Sequence, residues 1–106
     1  MASTWAALED PRRRTLLELL LERPHAVGEL VERLGLSQPS TSKHLRVLRE
    51  AGLVSVRQDA QWRVYALESQ PIAEIDAWLE PYRRLWTQSL DALEQHLDGS
   101  DPKEDQ

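Results

Sequence analysis

Three residues, Gly35-Leu36-Ser37, are all that separate two stretches of helical spacing, and that short allowance restricts the fold more than any other feature of the chain. Upstream, Val27, Leu30, Val31 and Leu34 fall at i, i+3, i+4 and i+7, the spacing of one buried helical face. Gly35 follows where a left-handed C-cap is cheapest, and Ser37 is a good N-cap with Pro39 tolerated in the next first turn. Thr41, Leu45 and Leu48 then give the second helix, residues 37 to 51, an inner face before Gly52 ends it. Two short helices joined so tightly must cross at a large angle, the helix-turn-helix arrangement.

The flanking segments extend this frame. Asp10-Pro11 is a strong helix start, and the helix is expected from about Pro11 to Glu22 with Leu16, Leu17, Leu20 and Leu21 buried, stopped by Arg23-Pro24. A short turn of helix around Thr4 to Leu8 would display Trp5. After Gly52 come two β-prone runs, "LVSVR" and "WRVYAL", that read as a hairpin over residues 53 to 67. Its connection lacks the Asn-Gly or Asp-Gly of a tight turn, and Ala60 suits positive φ poorly, so a longer or mobile loop is expected. From Pro71 to about Leu97 runs a helical segment whose apolar residues recur by threes and fours, with Pro81 expected to kink or break it. One domain over residues 1 to 97 and a disordered acidic tail over 98 to 106 are expected.

Charge is distributed unevenly. Residues 37 to 67 hold five Lys or Arg against two acids, +3, so the rest of a chain of net charge −5 carries −8. Gln38, Ser40, Lys43, His44 and Arg46 point away from the leucine underside of the second helix, where Gln can pair with adenine and Lys or His can reach guanine or phosphate in a major groove. The candidate DNA contacts on this helix are those five and Thr41, which is counted with the inner face as well. For Lys43 and His44 a phosphate contact is as well supported as a base contact.

The run "DPRRRTLLELL", "ELVERLGLSQPSTSKHLRVLREAGLV", "WRVYAL" resembles three successive signatures of the arsenical-resistance repressor (ArsR) family of bacterial transcriptional regulators, over roughly residues 10 to 67. The resemblance implies a mainly α fold with a small β-hairpin: a winged helix-turn-helix, dimeric through its terminal helices and reading a two-fold symmetric double-stranded operator. It implies that the hairpin is a wing, with Arg57, Gln61 and Arg63 at the flanking backbone or minor groove. Two metal sites of the family lack their ligands here. The helix before the turn, "VGELVERLG", has no cysteine, and Asp76-x-Trp78 replaces Asp-x-His on the last helix, leaving His96. No metal and no cofactor are expected. His96 reads more simply as a solvated residue near a helix end, and His25 as a surface residue after Pro24.

The apolar row on the last helix has nowhere to go on so small a monomer, which makes that helix a dimerisation element. Trp5, Ile75, Trp78, Leu79, Tyr82, Trp86, Leu90 and Leu93 are the candidate interface. Lining a pocket for an apolar effector is the weaker reading of the same aromatics, and whether an effector exists is left open. Arg12, Arg13 and Arg14 could clamp a phosphate at a helix start; one pairing with an acid such as Glu9 or Glu18 and the others solvated is the simpler reading.

An enzyme is excluded for want of parts: there is no cysteine, no glycine-rich phosphate loop, and only three scattered histidines. No apolar run is long enough for a membrane span, and the cysteine-free chain fits a reducing cytoplasm. The function expected is a homodimeric sequence-specific DNA-binding regulator, a repressor without a metal-sensing site. The alternatives are a winged-helix interaction module that does not bind DNA, and a metal-responsive repressor with an unrecognised site.

Overall fold

The computed structural model describes residues 3–99. In chain order its elements are α1 (Thr4–Ala7), α2 (Pro11–Glu22), β1 (His25–Ala26), α3 (Val27–Leu34), α4 (Gln38–Glu50), β2 (Val54–Asp59), β3 (Trp62–Leu67) and α5 (Gln70–Gly99). The chain forms two compact units, Met1–Ala73 and Glu74–Gln106, so the boundary falls inside α5.

In the first unit, Leu16, Leu20, Leu30, Leu45, Leu48 and Leu53 meet with Ala7 and Tyr65 in one buried core. Removing each such leucine from water is worth about 1.5–3 kcal/mol, and this holds the short helices that could not persist alone. Asp10 caps α2 by accepting from the Arg12 amide at 2.8 Å, and Pro11 opens it. The buried stripe of α2 is Leu16, Leu19 and Leu20, the i, i+3, i+4 set; Leu17 is partly buried and Leu21 is 74% exposed, which corrects the expected stripe. Leu21 stands about 100° round the helix from Leu20 and leaves the packed side.

α3 lacks a side-chain acceptor at its N-cap, Ala26. Only the reciprocal half of a capping box forms there, with the Ala26 amide donating to Glu29 Oε1 at 3.2 Å. Gly35 adopts φ 73° and its amide reaches the Val31 carbonyl at 3.0 Å, the left-handed stop that the tight turn requires.

The sheet has three strands, in the order β1-β3-β2 and antiparallel throughout. The third strand was not expected from the sequence, since two residues carry no periodicity. His25 pairs with Tyr65 in it and is 1% exposed, so it is a core residue and not a surface one. Its Nδ1 lies 2.7 Å from the Arg23 carbonyl, which can only accept, so the proton sits on Nδ1 and the buried Nε2 is left without a partner.

The wing connection also differs from expectation. Asp59 pairs with Trp62, leaving a two-residue turn, and Ala60 takes φ 54° there. A two-residue reversal demands positive φ whatever residue supplies it. The Gln58 side-chain amide donates to the Ala60 carbonyl at 2.9 Å and helps to hold the conformation.

α5 is one helix of 30 residues with Pro81 inside it, so the proline does not break the segment. Arg83 spans this stretch, donating to the Asp76 carboxylate, to its carbonyl at 2.8 Å and to Glu80 at 3.1 Å. Asp98 and Gly99 belong to α5, and the remainder of the expected tail lies outside the described residues. Among the described residues, no helix is long and apolar enough to cross a membrane.

Candidate nucleic-acid interface

The second helix of the tight pair, α4, is held at both ends by its own sequence. At its start Ser37 Oγ accepts from the Ser40 amide at 3.2 Å, and Pro39 fits the first turn, where its missing N–H costs nothing. At its end the Gly52 amide reaches the Arg49 carbonyl and the Leu53 amide the Leu48 carbonyl, both at 2.9 Å, a Schellman stop with Gly52 at φ 77°. Leu45 and Leu48 are fully buried beneath it.

Gln38, Ser42, Lys43, Arg46 and Arg49 are exposed on the other side. Gln38, Ser42 and Arg46 stand at i, i+4 and i+8, a single row, with Lys43 beside it. Ser42 and Arg49 were not among the residues picked from the sequence; the same i+4 arithmetic would have found Ser42. Ser40 and His44 are half-buried at the flank. Thr41 is removed from the contact set: it is 0% exposed and its hydroxyl donates to the Ser37 carbonyl at 2.9 Å. Its place on the leucine side outweighs its polarity. The free amides of the first turn, which are orphaned in any helix, add a site for phosphate at the same end.

The wing residues separate by strand parity. On β3, Arg63 shares a face with Tyr65 and stacks its guanidinium 5.9 Å from that ring. Arg57 pairs with Val64 in register and therefore lies on the opposite face, with Asp59 and Trp62. Those residues, with Pro24 and Ala26, line an open groove of about 530 Å³ on the outer side of the sheet. Gln61 is exposed at the turn. Arg57 and Arg63 are thus not one patch.

The arginines at the start of α2 have structural work. Arg13 Nε donates to the Ala7 carbonyl at 2.7 Å and Nη2 to the Ala6 carbonyl at 3.2 Å, while Arg14 reaches the Leu8 carbonyl at 2.6 Å. They cover the open C-terminal carbonyls of α1, and the acid beside Arg13 is Asp10 in place of Glu9 or Glu18. Arg13 Nη1 also lies 3.4 Å from His44 Nδ1, and 4.0 Å from Asp10. The Asp10 carboxyl is held below its ordinary range by the Arg12 amide first, and the guanidinium charges of Arg13 and Arg12 act in the same direction.

In the second unit, α5 has no buried residue. Trp78, Tyr82, Trp86, Leu90 and Leu93 are each more than half exposed, and Trp78 and Tyr82 stack with ring centroids 4.6 Å apart. Ile75 and Leu79 are half-buried. Tyr82, Leu85, Trp86, Ser89, Leu90 and Leu93 line an apolar groove of about 390 Å³. Leu85 and Ser89 were not picked from the sequence, although both fit the three-and-four spacing. In the first unit, Trp5 is 53% exposed on α1.

Comparison with known proteins places these features in company. Residues 10–56 match the family described as bacterial regulatory protein, arsR family. The HTH-type transcriptional regulator Rv2034 of Mycobacterium tuberculosis is 40% identical over 95 residues, covering 90% of this chain and 86% of that protein. The transcriptional activator HlyU of Vibrio cholerae is 42% identical over 83 residues, 78% of this chain and 74% of that protein. Among solved structures, the ArsR-like transcriptional regulator from Rhodococcus sp. RHA1 superposes with a TM-score of 0.70 at 29% identity, covering 89% of each chain.

Proposed function

The chain belongs to the arsR family of bacterial regulatory proteins, DNA-binding transcription regulators of winged helix-turn-helix fold and not enzymes; with that as premise, we propose that it is a homodimeric repressor that reads a two-fold symmetric operator in double-stranded DNA. In this reading α4 lies in the major groove of each half-site, the β2–β3 hairpin is the wing, and a bound dimer blocks polymerase. Half-sites would be centred about 34–36 Å apart, one turn of the duplex.

The observation that carries the reading is the exposed row Gln38–Ser42–Arg46 with Lys43 beside it, on a helix anchored by the fully buried Leu45 and Leu48. Side chains of this kind, presented on a fixed surface in a locally basic segment of an acidic protein, suit a groove that offers acceptors and phosphates. Homodimerisation is supported by the apolar row of α5, left exposed in the monomer. The absence of a metal-sensing site is supported by the absence of cysteine and by Trp78 two residues after Asp76. Cytoplasmic location follows from the target.

Binding to its own promoter fragment tests the proposal. Lys43→Ala and Arg46→Ala should each weaken the complex by ~1 kcal/mol or more and flatten its salt dependence. Thr41→Val should bind like the parent, because the Ser37 carbonyl keeps the Thr41 amide at 3.0 Å. An interaction module would show neither promoter binding nor retention on heparin. A zinc- or nickel-dependent change in DNA affinity would establish a metal sensor instead. The sign of regulation is read by a reporter, since the activator HlyU shares this fold and occlusion depends on where the operator lies.

A further inference from the structure

We propose that Arg13 is a positioning residue for DNA recognition: its guanidinium holds His44 as the tautomer protonated on Nε2 and aims that N–H at an acceptor on the duplex. This rests on the reading of α4 as the recognition helix and assigns a partner chemistry to one of its side chains.

Three contacts immobilise the guanidinium. Nε is fixed on the Ala7 carbonyl at 2.7 Å, Nη2 on the Ala6 carbonyl at 3.2 Å, and Nη1 faces His44 Nδ1 at 3.4 Å. The side chain is only 16% exposed, and Asp10 is 4.0 Å away, so it has little freedom to turn elsewhere. Guanidinium nitrogens can donate but never accept. The Nδ1 facing them must therefore offer its lone pair, and a neutral imidazole then carries its proton on Nε2.

The two ring nitrogens diverge, so Nε2 points away from α2. It has no hydrogen-bond partner among the described residues, and, unlike His25 Nε2, it is not sealed from solvent. His44 is half-buried about 100° round α4 from Lys43, on the side that faces Arg13 and away from the row Gln38–Ser42–Arg46. It thus presents one directed donor, complementary to a phosphate oxygen or to a purine N7, and unsuited to the amino groups of adenine or cytosine. The charged groups facing His44 are Arg13 and Asp10, both at the start of α2. Since Arg13 is anchored on α1 carbonyls, α1 becomes part of the reading head.

The test uses the full chain labelled with ¹⁵N. At about pH 8 the ring spectrum of free protein should show one His44 tautomer with Nε2 protonated, and Arg13→Met should give a mixture. On the promoter fragment, His44→Gln, whose amide N–H can stand in for Nε2–H, should bind within about threefold of the parent. His44→Asn, which reproduces only the Nδ1 side, should lose about tenfold. In the Arg13→Met background the Asn substitution should cost less than about threefold, a coupling that a merely structural role for Arg13 would not produce. If Arg13→Met does not fold, Arg13→Lys replaces it, since one ammonium cannot serve three diverging acceptors. Methylphosphonate and 7-deazapurine substitutions then decide between phosphate and N7. A His44 proton on Nδ1, a spectrum indifferent to Arg13, or additive losses would overturn the assignment. Were the parent not to bind DNA at all, the regulator reading would fail, and with it the aiming of His44, while the spectrum would still decide the tautomer lock.

Discussion

The amide of Leu53 donates to the carbonyl of Leu48 across the end of α4 at 2.9 Å, and both side chains are fully buried. The Ala-Gly-Leu-Val exit thereby ends α4, satisfies its last carbonyls and packs Leu53, which leads into the hairpin, against the helix it leaves. Gly52 makes this possible at φ 77°. A Cβ there would meet Pro71 Cγ at 3.7 Å, an ordinary contact, so the obstacle is backbone conformation and not space. Gly52→Ala should cost ~1–2 kcal/mol, the usual penalty of a left-handed alanine. Urea denaturation at constant m-value measures it, and an unchanged midpoint would show that the stop does not depend on glycine.

Ala60 is the opposite case, a residue with a Cβ already in the left-handed region at φ 54°. Ala60→Gly relieves that strain but adds freedom to the unfolded chain worth ~0.4–1 kcal/mol. The net result should be a gain in stability of up to about 1 kcal/mol, whereas Ala60→Val, branched at Cβ, should destabilise. Thermal melts of the two variants should move in opposite directions.

The two glycine turns that flank α4 show where local sequence carries the fold. Gly35-Leu36-Ser37 and Ala51-Gly52-Leu53 announce their geometry because glycine and the spacing of leucines agree at each, with the Ser37 hydroxyl as a cap at the first. β1 could not be read that way: two residues have no period, and His25 is buried only because β3 pairs with it from 40 residues further on. The wing turn was misjudged because hydrogen bonding along β2 and β3 brings Asp59 and Trp62 into register and overrides the preference of Ala60. In the candidate site, the exposed row follows from helical arithmetic. The contact between Arg13 and His44 does not, since it joins residues 31 apart that only the packed helices bring together.

Acid should loosen the first unit through two carboxylates. The Glu29 carboxyl is held below its ordinary range by the Arg23 side chain first, 2.8 Å away, and then by the Ala26 amide. The Asp10 carboxyl is lowered chiefly by the Arg12 amide. A group whose folded pKa lies below its unfolded one contributes stability above the unfolded value and loses it as pH falls through the folded one. The loss should therefore begin near the ordinary carboxylate values of ~4 and deepen below them. Glu29→Gln should make the fall in melting temperature across that window shallower than in the parent. Both carboxylates keep partial access to solvent, so the effect should be modest and shrink in added salt.

The dimer reading makes the sharpest demand on α5. Trp86 is 69% exposed and Leu90 51% in the monomer, and together with Tyr82 and Leu93 they border an apolar groove. Such a row in water is unfavourable by about 25 cal/mol for each Å² left uncovered, and a second copy of the same helix is self-complementary across a two-fold axis. A charge placed in the middle of that row would be desolvated on association without a partner. Leu90→Glu should accordingly weaken self-association at least tenfold while leaving the helix-turn-helix core, Leu16 to Leu53, untouched. Sedimentation equilibrium should find the parent dimeric and the variant shifted towards monomer. DNA affinity should fall with it, since the two recognition helices would no longer be held one helical turn apart. A parent that sediments as a monomer at micromolar concentration would remove this face as the dimer interface.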